Sequence, residues 1–220
     1  MLLVISDVLT ADDIAKVTDK MNALRFVDGA VTAGWHAKLV KNNLQADRTQ
    51  PEYAPLNKAV ADAILRHPTF RMAARPRHMT PLLFSRYRDN MEYGTHVDDP
   101  IMYNIRSDIS FTLFLADPKA YEGGELVMET TAGEQAFKPN AGAMFIYPST
   151  TLHRVTPVTR GERIAVVGWC QSYVRDANQR EILYDLDVTR RAIFEKEKKS
   201  REFDVISRCS ANLMRLWADG

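Results

Sequence analysis

Apolar residues at Ile14, Val17, Met21 and Leu24 recur at helical spacing, and Thr10 with Asp13 carries a capping-box signature at the start of that run. Leu56, Val60, Ile64 and Leu65 share one face of a second predicted helix over about 51–66, with Pro68 closing it. From about Thr80 the period shortens. Eight strands are predicted near 81–87, 93–97, 108–115, 125–129, 134–137, 143–147, 153–158 and 163–171. Turn chemistry separates them: Asp89-Asn90, Asp99-Pro100, Gly123-Gly124, Ala132-Gly133, Pro139-Asn140 and Arg160-Gly161. After Asp176 the helical period returns, through Ile182, Leu183, Leu186, Ile193 and Phe194 and again from Phe203 to Trp217.

Eight short strands without helix-length segments between them favour a jelly roll, or double-stranded β-helix, over parallel β/α units. The expected fold is therefore α+β in three regions. An N-terminal helical region (1–79) packs on the barrel, a double-stranded β-helix core spans 80–175, and a small helical C-terminal appendage spans 176–220. In the run EKEKKSR, Glu195–Lys199 and Glu197–Arg201 sit at i,i+4, the spacing of a solvated helix face.

Composition narrows the function classes. The 220 residues carry 29 Lys and Arg against 28 Asp and Glu, a net charge of +1. No global field is available to hold nucleic acid or an anionic membrane, so neither is expected as a partner. Two isolated cysteines, Cys170 and Cys209, make neither a disulfide framework nor a CxxC zinc site. No apolar run is long enough to span a bilayer, and the N-terminus lacks a basic segment and a cleavage site. A reducing cytoplasm is the expected setting.

Three signals carry chemistry. His96-Val97-Asp98 places an imidazole and a carboxylate on one face at the end of a strand, with Pro100 just beyond. His153, at the start of a later strand, adds a second imidazole. Two histidines and one carboxylate form a facial triad suited to non-haem Fe(II), although zinc accepts the same donors. Arg163 opens the next strand and, if it projects into the barrel, needs an anionic partner that the inward-facing pattern does not supply. A ligand carboxylate gripped bidentately is the natural candidate, with Tyr87 adding a phenolic hydrogen bond.

The order Tyr87–His96–x–Asp98–His153–Arg163, with GGEL at 123–126 and PVTRGER at 157–163, resembles the iron(II)/2-oxoglutarate-dependent dioxygenases. Within them it is similar to the prolyl/lysyl hydroxylase-domain group and to the bacterial PKHD-type hydroxylases. VKNNLQ, RSDISFTLFLADP, YPSTTLH and REILYDLD extend the resemblance over nearly the whole chain. It implies that His96, Asp98 and His153 bind Fe(II) and act in catalysis, and that Arg163 and, less directly, Tyr87 bind 2-oxoglutarate. It further implies consumption of O2, release of succinate and CO2, ascorbate as the reductant, and hydroxylation of an aliphatic C–H, with a protein or peptide as a candidate substrate. A homo-oligomer and a link to iron homeostasis are left open. Two other readings stand beside this one. A jelly-roll iron-binding or sensing module has no use for Arg163, and a nucleic-acid oxidative demethylase is disfavoured by the near-neutral charge. His36 lies in GWHAKLVKNN, a segment resembling a family-specific loop, and is an outside candidate for substrate contact. His67 is expected to act at a helix end and His78 to be exposed, while Trp169 is expected to pack near the site.

Overall fold

The computed structural model describes residues 1–219. Two antiparallel sheets face each other in a jelly-roll barrel. The larger runs, in spatial order, through Leu3–Ile5, Met144–Pro148, Ile109–Phe114, Arg163–Ser172, Leu83–Tyr87, Leu44–Ala46 and Phe26–Asp28, with Pro76–Met79 also paired to Arg163–Ser172. The smaller runs through Gly133–Phe137, Leu126–Thr130, His153–Val155, Glu92–His96 and Lys41–Asn42. Among the described residues there are five α-helices: α1 (Ala11–Asn22), α2 (Tyr53–Arg66), α3 (Pro68–Ala74), α4 (Ala177–Glu197) and α5 (Arg201–Trp217).

The alternation along Ile109–Phe114 explains how the layers stack. Ile109, Phe111 and Leu113 pack outward with Leu56, Ile64 and Phe70 of α2 and α3. Phe114, on the opposite face, joins Tyr87, Tyr147 and Leu126 in an inner cluster between the sheets. All six residues of this strand are buried, as a central strand covered on both faces requires. Phe70 and Phe111 meet edge to face with ring centroids 5.9 Å apart. Ser110 and Thr112 share the inner face with Phe114, so two polar side chains are carried into the barrel.

The capping box at Thr10 and Asp13 forms as its sequence predicts. Four differences have local causes. The first 79 residues contribute strands as well as helices, because Leu3–Ile5, Leu44–Ala46 and Lys41–Asn42 each find a free sheet edge. Pro68 opens α3 at its first turn, where a missing N–H costs nothing, in addition to following the end of α2. The predicted strand 153–158 divides at Pro157 into His153–Val155 and Val158–Arg160, and the second piece pairs with Glu122–Gly123. The predicted pairs Glu195–Lys199 and Glu197–Arg201 are replaced: α4 stops at Glu197, Lys198 adopts a positive φ of 59°, and Lys199 pairs with Asp204 at 2.5 Å. Among the described residues no helix is long and apolar enough to cross a membrane.

Candidate metal and co-substrate site

Strands Glu92–His96 and His153–Val155 pair antiparallel with His96 directly opposite His153. Their imidazole centroids are 4.2 Å apart. Each Nδ1 lies 2.9 Å from a carbonyl oxygen two residues earlier, Gly94 for His96 and Thr151 for His153. A carbonyl only accepts, so each Nδ1 carries the proton and donates it, leaving both Nε2 lone pairs free to ligate. Asp98 follows the end of its strand and turns back. Its Oδ1 is 4.0 Å from His96 Nε2, and its Oδ2 is 3.9 Å from His153 Nε2. The three ligating atoms lie within 4.8 Å of one another. Ser110 donates to Asp98 Oδ2, and its own oxygen is 2.8 Å from Ser149 Oγ. The inward-facing serine of the apolar strand thus orients the carboxylate.

Burial, reinforced by nearby His153 and opposed by Asp98, pushes the His96 imidazole down to about 4. Tyr93 stacks on His96 with centroids 3.7 Å apart. On the far wall, Arg163 is 1% exposed and sits in register with Tyr87. Its Nε donates to Gly124 O at 2.9 Å, and its guanidinium carbon lies 5.1 Å from the Tyr87 ring centre and 5.2 Å from that of Phe114. Among the described residues no carboxylate forms an ion pair with it. The GGEL turn makes room for it: Gly124 has φ +69°, and a Cβ there would stand 3.0 Å from Arg163 Cδ. Burial raises the Tyr87 phenol, with Arg163 opposing, so its hydroxyl keeps its proton.

The triad, Tyr87 and Arg163 line one cavity of about 270 Å³. Two imidazoles whose Nδ1 atoms are engaged elsewhere, with a carboxylate on the same face, suit a divalent iron with open positions. The buried, unpaired guanidinium suits an organic anion. Ser85 and Trp169, whose Oγ and Nε1 are buried without partners, also line the cavity. The residues present therefore fit a metal together with an anionic co-substrate.

Other sequence candidates fall differently. Trp169 borders the cavity, beside the site, and its Nε1 is buried without a partner. His36 is half-buried with its ring 5.2 Å from that of Trp35, and its neighbours Gly34 and Ala37 line the cavity while it does not. His67 stands at the helix end as expected, closing α2 and opening α3 through its backbone N–H and C=O, while its side chain makes no cap bond and its Nδ1 is buried without a partner. His78 is exposed. Cys170 is buried, and burial lifts its thiol to about 12. Lys41, Gln45 and Tyr147 also line the cavity; they lie in the VKNNLQ and YPSTTLH motifs, but the sequence assigns none of them a role. Ser110 offered a signal, as one of two polar residues, with Thr112, in the inward register of a strand whose other four residues are apolar. Lys41 Nζ lies 2.9 Å from Thr32 Oγ1, and burial lowers it to about 8, with Asp98 and Asp28 opposing.

Residues 82–171 match the family model described as the 2OG-Fe(II) oxygenase superfamily. Over the full length of both chains the sequence is 49% identical to a PKHD-type hydroxylase of Crocosphaera subtropica and 51% identical to one of Acaryochloris marina. Among solved structures it is similar in fold to a Pseudomonas putida prolyl-4-hydroxylase, with a TM-score of 0.55 and 20% identity, covering 78% of this chain and 92% of that one. A prolyl hydroxylase from Trichoplax adhaerens, solved with a peptide fragment of hypoxia inducible factor, gives a TM-score of 0.56 at 15% identity over 82% of this chain and 86% of that one.

Proposed function

The chain belongs to the PKHD-type hydroxylases of the 2OG-Fe(II) oxygenase superfamily, and from that premise we propose that His96, Asp98 and His153 hold its Fe(II) while Arg163 and Tyr87 hold its 2-oxoglutarate. The carrying observation is that two free Nε2 atoms and one carboxylate converge in a cavity whose opposite wall presents a buried, unpaired arginine. The protein is a 2-oxoglutarate-dependent hydroxylase. Bound Fe(II) with 2-oxoglutarate and O2 supplies the oxidising equivalent that converts a C–H to C–OH, with succinate and CO2 released.

The chain's own share is binding and orientation. Gly94 O and Thr151 O fix the two imidazole tautomers. Ser110 holds Asp98 against rotation, so that its carboxylate would be presented to the metal in a fixed orientation beside the two imidazoles. Arg163 grips the distal carboxylate, and the neutral Tyr87 phenol donates a hydrogen bond to it. Two sheets of buried apolar side chains exclude bulk water from the reacting centre.

The substrate reading is a peptidyl side chain. Ile101 lines the cavity and is 61% exposed, and the segment that supplies Thr32, Gly34 and Ala37 to the lining also carries exposed Val31, Trp35 and Leu39. Exposed apolar side chains on a segment that lines the cavity support a partner larger than a metabolite. Ascorbate is the proposed reductant. Cys170 and Cys209 are both free, which suits the cytoplasm, and the link to iron homeostasis rests on the family resemblance.

Protein loaded with Fe(II) under argon should bind 2-oxoglutarate, and on admission of O2 should form succinate even without a second substrate. Failure of both would refute the assignment. A peptidyl target should gain the mass of one oxygen, and hydroxylation of only small free metabolites would overturn that part.

A further inference from the structure

Lys41 stands on the edge strand of the smaller sheet, opposite Tyr93, and lines the cavity on the wall facing Arg163. Its ammonium is 2.9 Å from Thr32 Oγ1 and 5.1 Å from the centre of the Tyr93 ring. Tyr93 in turn stacks on His96, so one aromatic ring separates this cation from a proposed metal ligand. Thr32 is itself fixed: its oxygen lies 2.5 Å from Gln45 Oε1 and 3.0 Å from Gly29 O. Gln45, Thr32 and Lys41 therefore form a chain that aims the ammonium. An ammonium has three N–H donors, and Thr32 takes one. Among the described residues no carboxylate pairs with Lys41 within 4.0 Å. A cation held in a largely buried position without an anion is costly, and a ligand that brings the anion removes that cost.

Resting on the co-substrate reading above, we infer that Lys41 is a specificity residue that receives a carboxylate on the primary substrate. The charge balance of the cavity supports this. Fe(II), the 2-oxoglutarate dianion, Asp98 and Arg163 together sum to zero, with both histidines neutral. Lys41 then leaves one positive charge in excess. Asp99, the other acidic residue of the lining, and Asp28, which acts on Lys41 from outside the lining, are both exposed and solvated. Both carboxylates of 2-oxoglutarate are already accounted for, by the metal and by Arg163 on the opposite sheet. The anion that Lys41 meets therefore belongs to the molecule that enters past Thr32, Ala33 and Gly34 on one side and Val97 and Ile101 on the other. For a peptidyl substrate this is an Asp or Glu near the hydroxylated residue, or a free C-terminal carboxylate.

The test uses the full chain loaded with Fe(II) and 2-oxoglutarate under argon, immobilised, and exposed to a randomised library of pentapeptides, half with free and half with amidated C-termini. Wild type should enrich Asp, Glu or a free C-terminus over Asn, Gln or an amide by about tenfold, the scale of one charge-assisted contact. Lys41→Met should lose that preference, Lys41→Arg should keep it, and Lys41→Glu should select Lys or Arg instead. Absence of acidic enrichment in wild type overturns the inference, as does enrichment that persists in Lys41→Met. If Lys41→Met weakens 2-oxoglutarate as much as Arg163→Met does, the lysine serves the co-substrate and the inference fails. If Fe(II)-loaded wild type binds no 2-oxoglutarate, the functional reading falls and this inference with it. Binding of 2-oxoglutarate without acidic selection sinks the inference alone.

Discussion

Arg163→Met should weaken the ligand and spare the fold, and the two effects have opposite signs. The guanidinium is 1% exposed, makes one hydrogen bond to Gly124 O, and rests between the Tyr87 and Phe114 rings without an anionic partner. Methionine keeps much of the apolar contact with those rings and removes a buried charge. Replacing buried charge by a fitted apolar side chain is neutral or stabilising by about 1–4 kcal/mol. Loss of the Gly124 bond returns about 0.5–1.5 kcal/mol. At the middle of both ranges the net for the apoprotein is about 1.5 kcal/mol of added stability, a rise in Tm of about 3–6 °C for a chain of this size. With 2-oxoglutarate present the sign reverses. Truncating one partner of a buried, hydrogen-bonded charge pair costs about 2–5 kcal/mol, so affinity should fall by at least ~30-fold. Thermal melts of the apoprotein and anaerobic titration of the Fe(II) form with 2-oxoglutarate read the two numbers. A Tm lowered by several degrees with 2-oxoglutarate affinity unchanged would show that the arginine is a structural strut and refute the assignment.

Three further outcomes follow from the same geometry. Asp98→Ala should lose retained iron altogether, measured by metal analysis after gel filtration, whereas Arg163→Met should retain it, and Ser110→Ala should cost about 10–100-fold in metal affinity through the freed carboxylate. His96 is held at about 4 by burial and by His153, against about 6.5 in the unfolded chain. Between those values the unfolded state binds more protons, so stability is full above pH 6.5 and is lost as pH falls towards 4, by at most about 3 kcal/mol. Melts of the apoprotein at pH 7 and pH 5 should show the loss, and His96→Gln should flatten it; an unchanged slope in that variant would contradict the cause. Gly124→Ala forces a side chain to φ +69° and sets its methyl 3.0 Å from Arg163 Cδ. It should destabilise by ~1–2 kcal/mol and raise the KM for 2-oxoglutarate, and an unaltered KM would mean that the turn does not position the arginine.

Much of the site is legible in the sequence because it is written in local spacing. His96 and Asp98 are two residues apart, and Trp169 follows Arg163 on the same alternation of one strand. The capping box at Thr10 needs only four residues to form. What the spacing leaves open is which strands meet. Lys41, with no strand pattern of its own, becomes an edge strand because Glu92–His96 presents a free edge beside it. The role of Ser110 depends on Asp98 folding back from the smaller sheet onto a strand of the larger one.

The chain by itself determined the helices, most of the barrel strands and the identity of the two imidazoles, the carboxylate and the arginine, because period and turn chemistry are properties of neighbouring residues. The tertiary structure alone decided that His153 lies opposite His96 across 57 residues of chain, that Arg163 is buried in the wall of the same cavity, and that Lys41 shares that cavity. Register between distant strands is fixed by burial on both faces of the sheet, where a slip of one residue would send every inward side chain out. That constraint belongs to the packed barrel and to no segment within it.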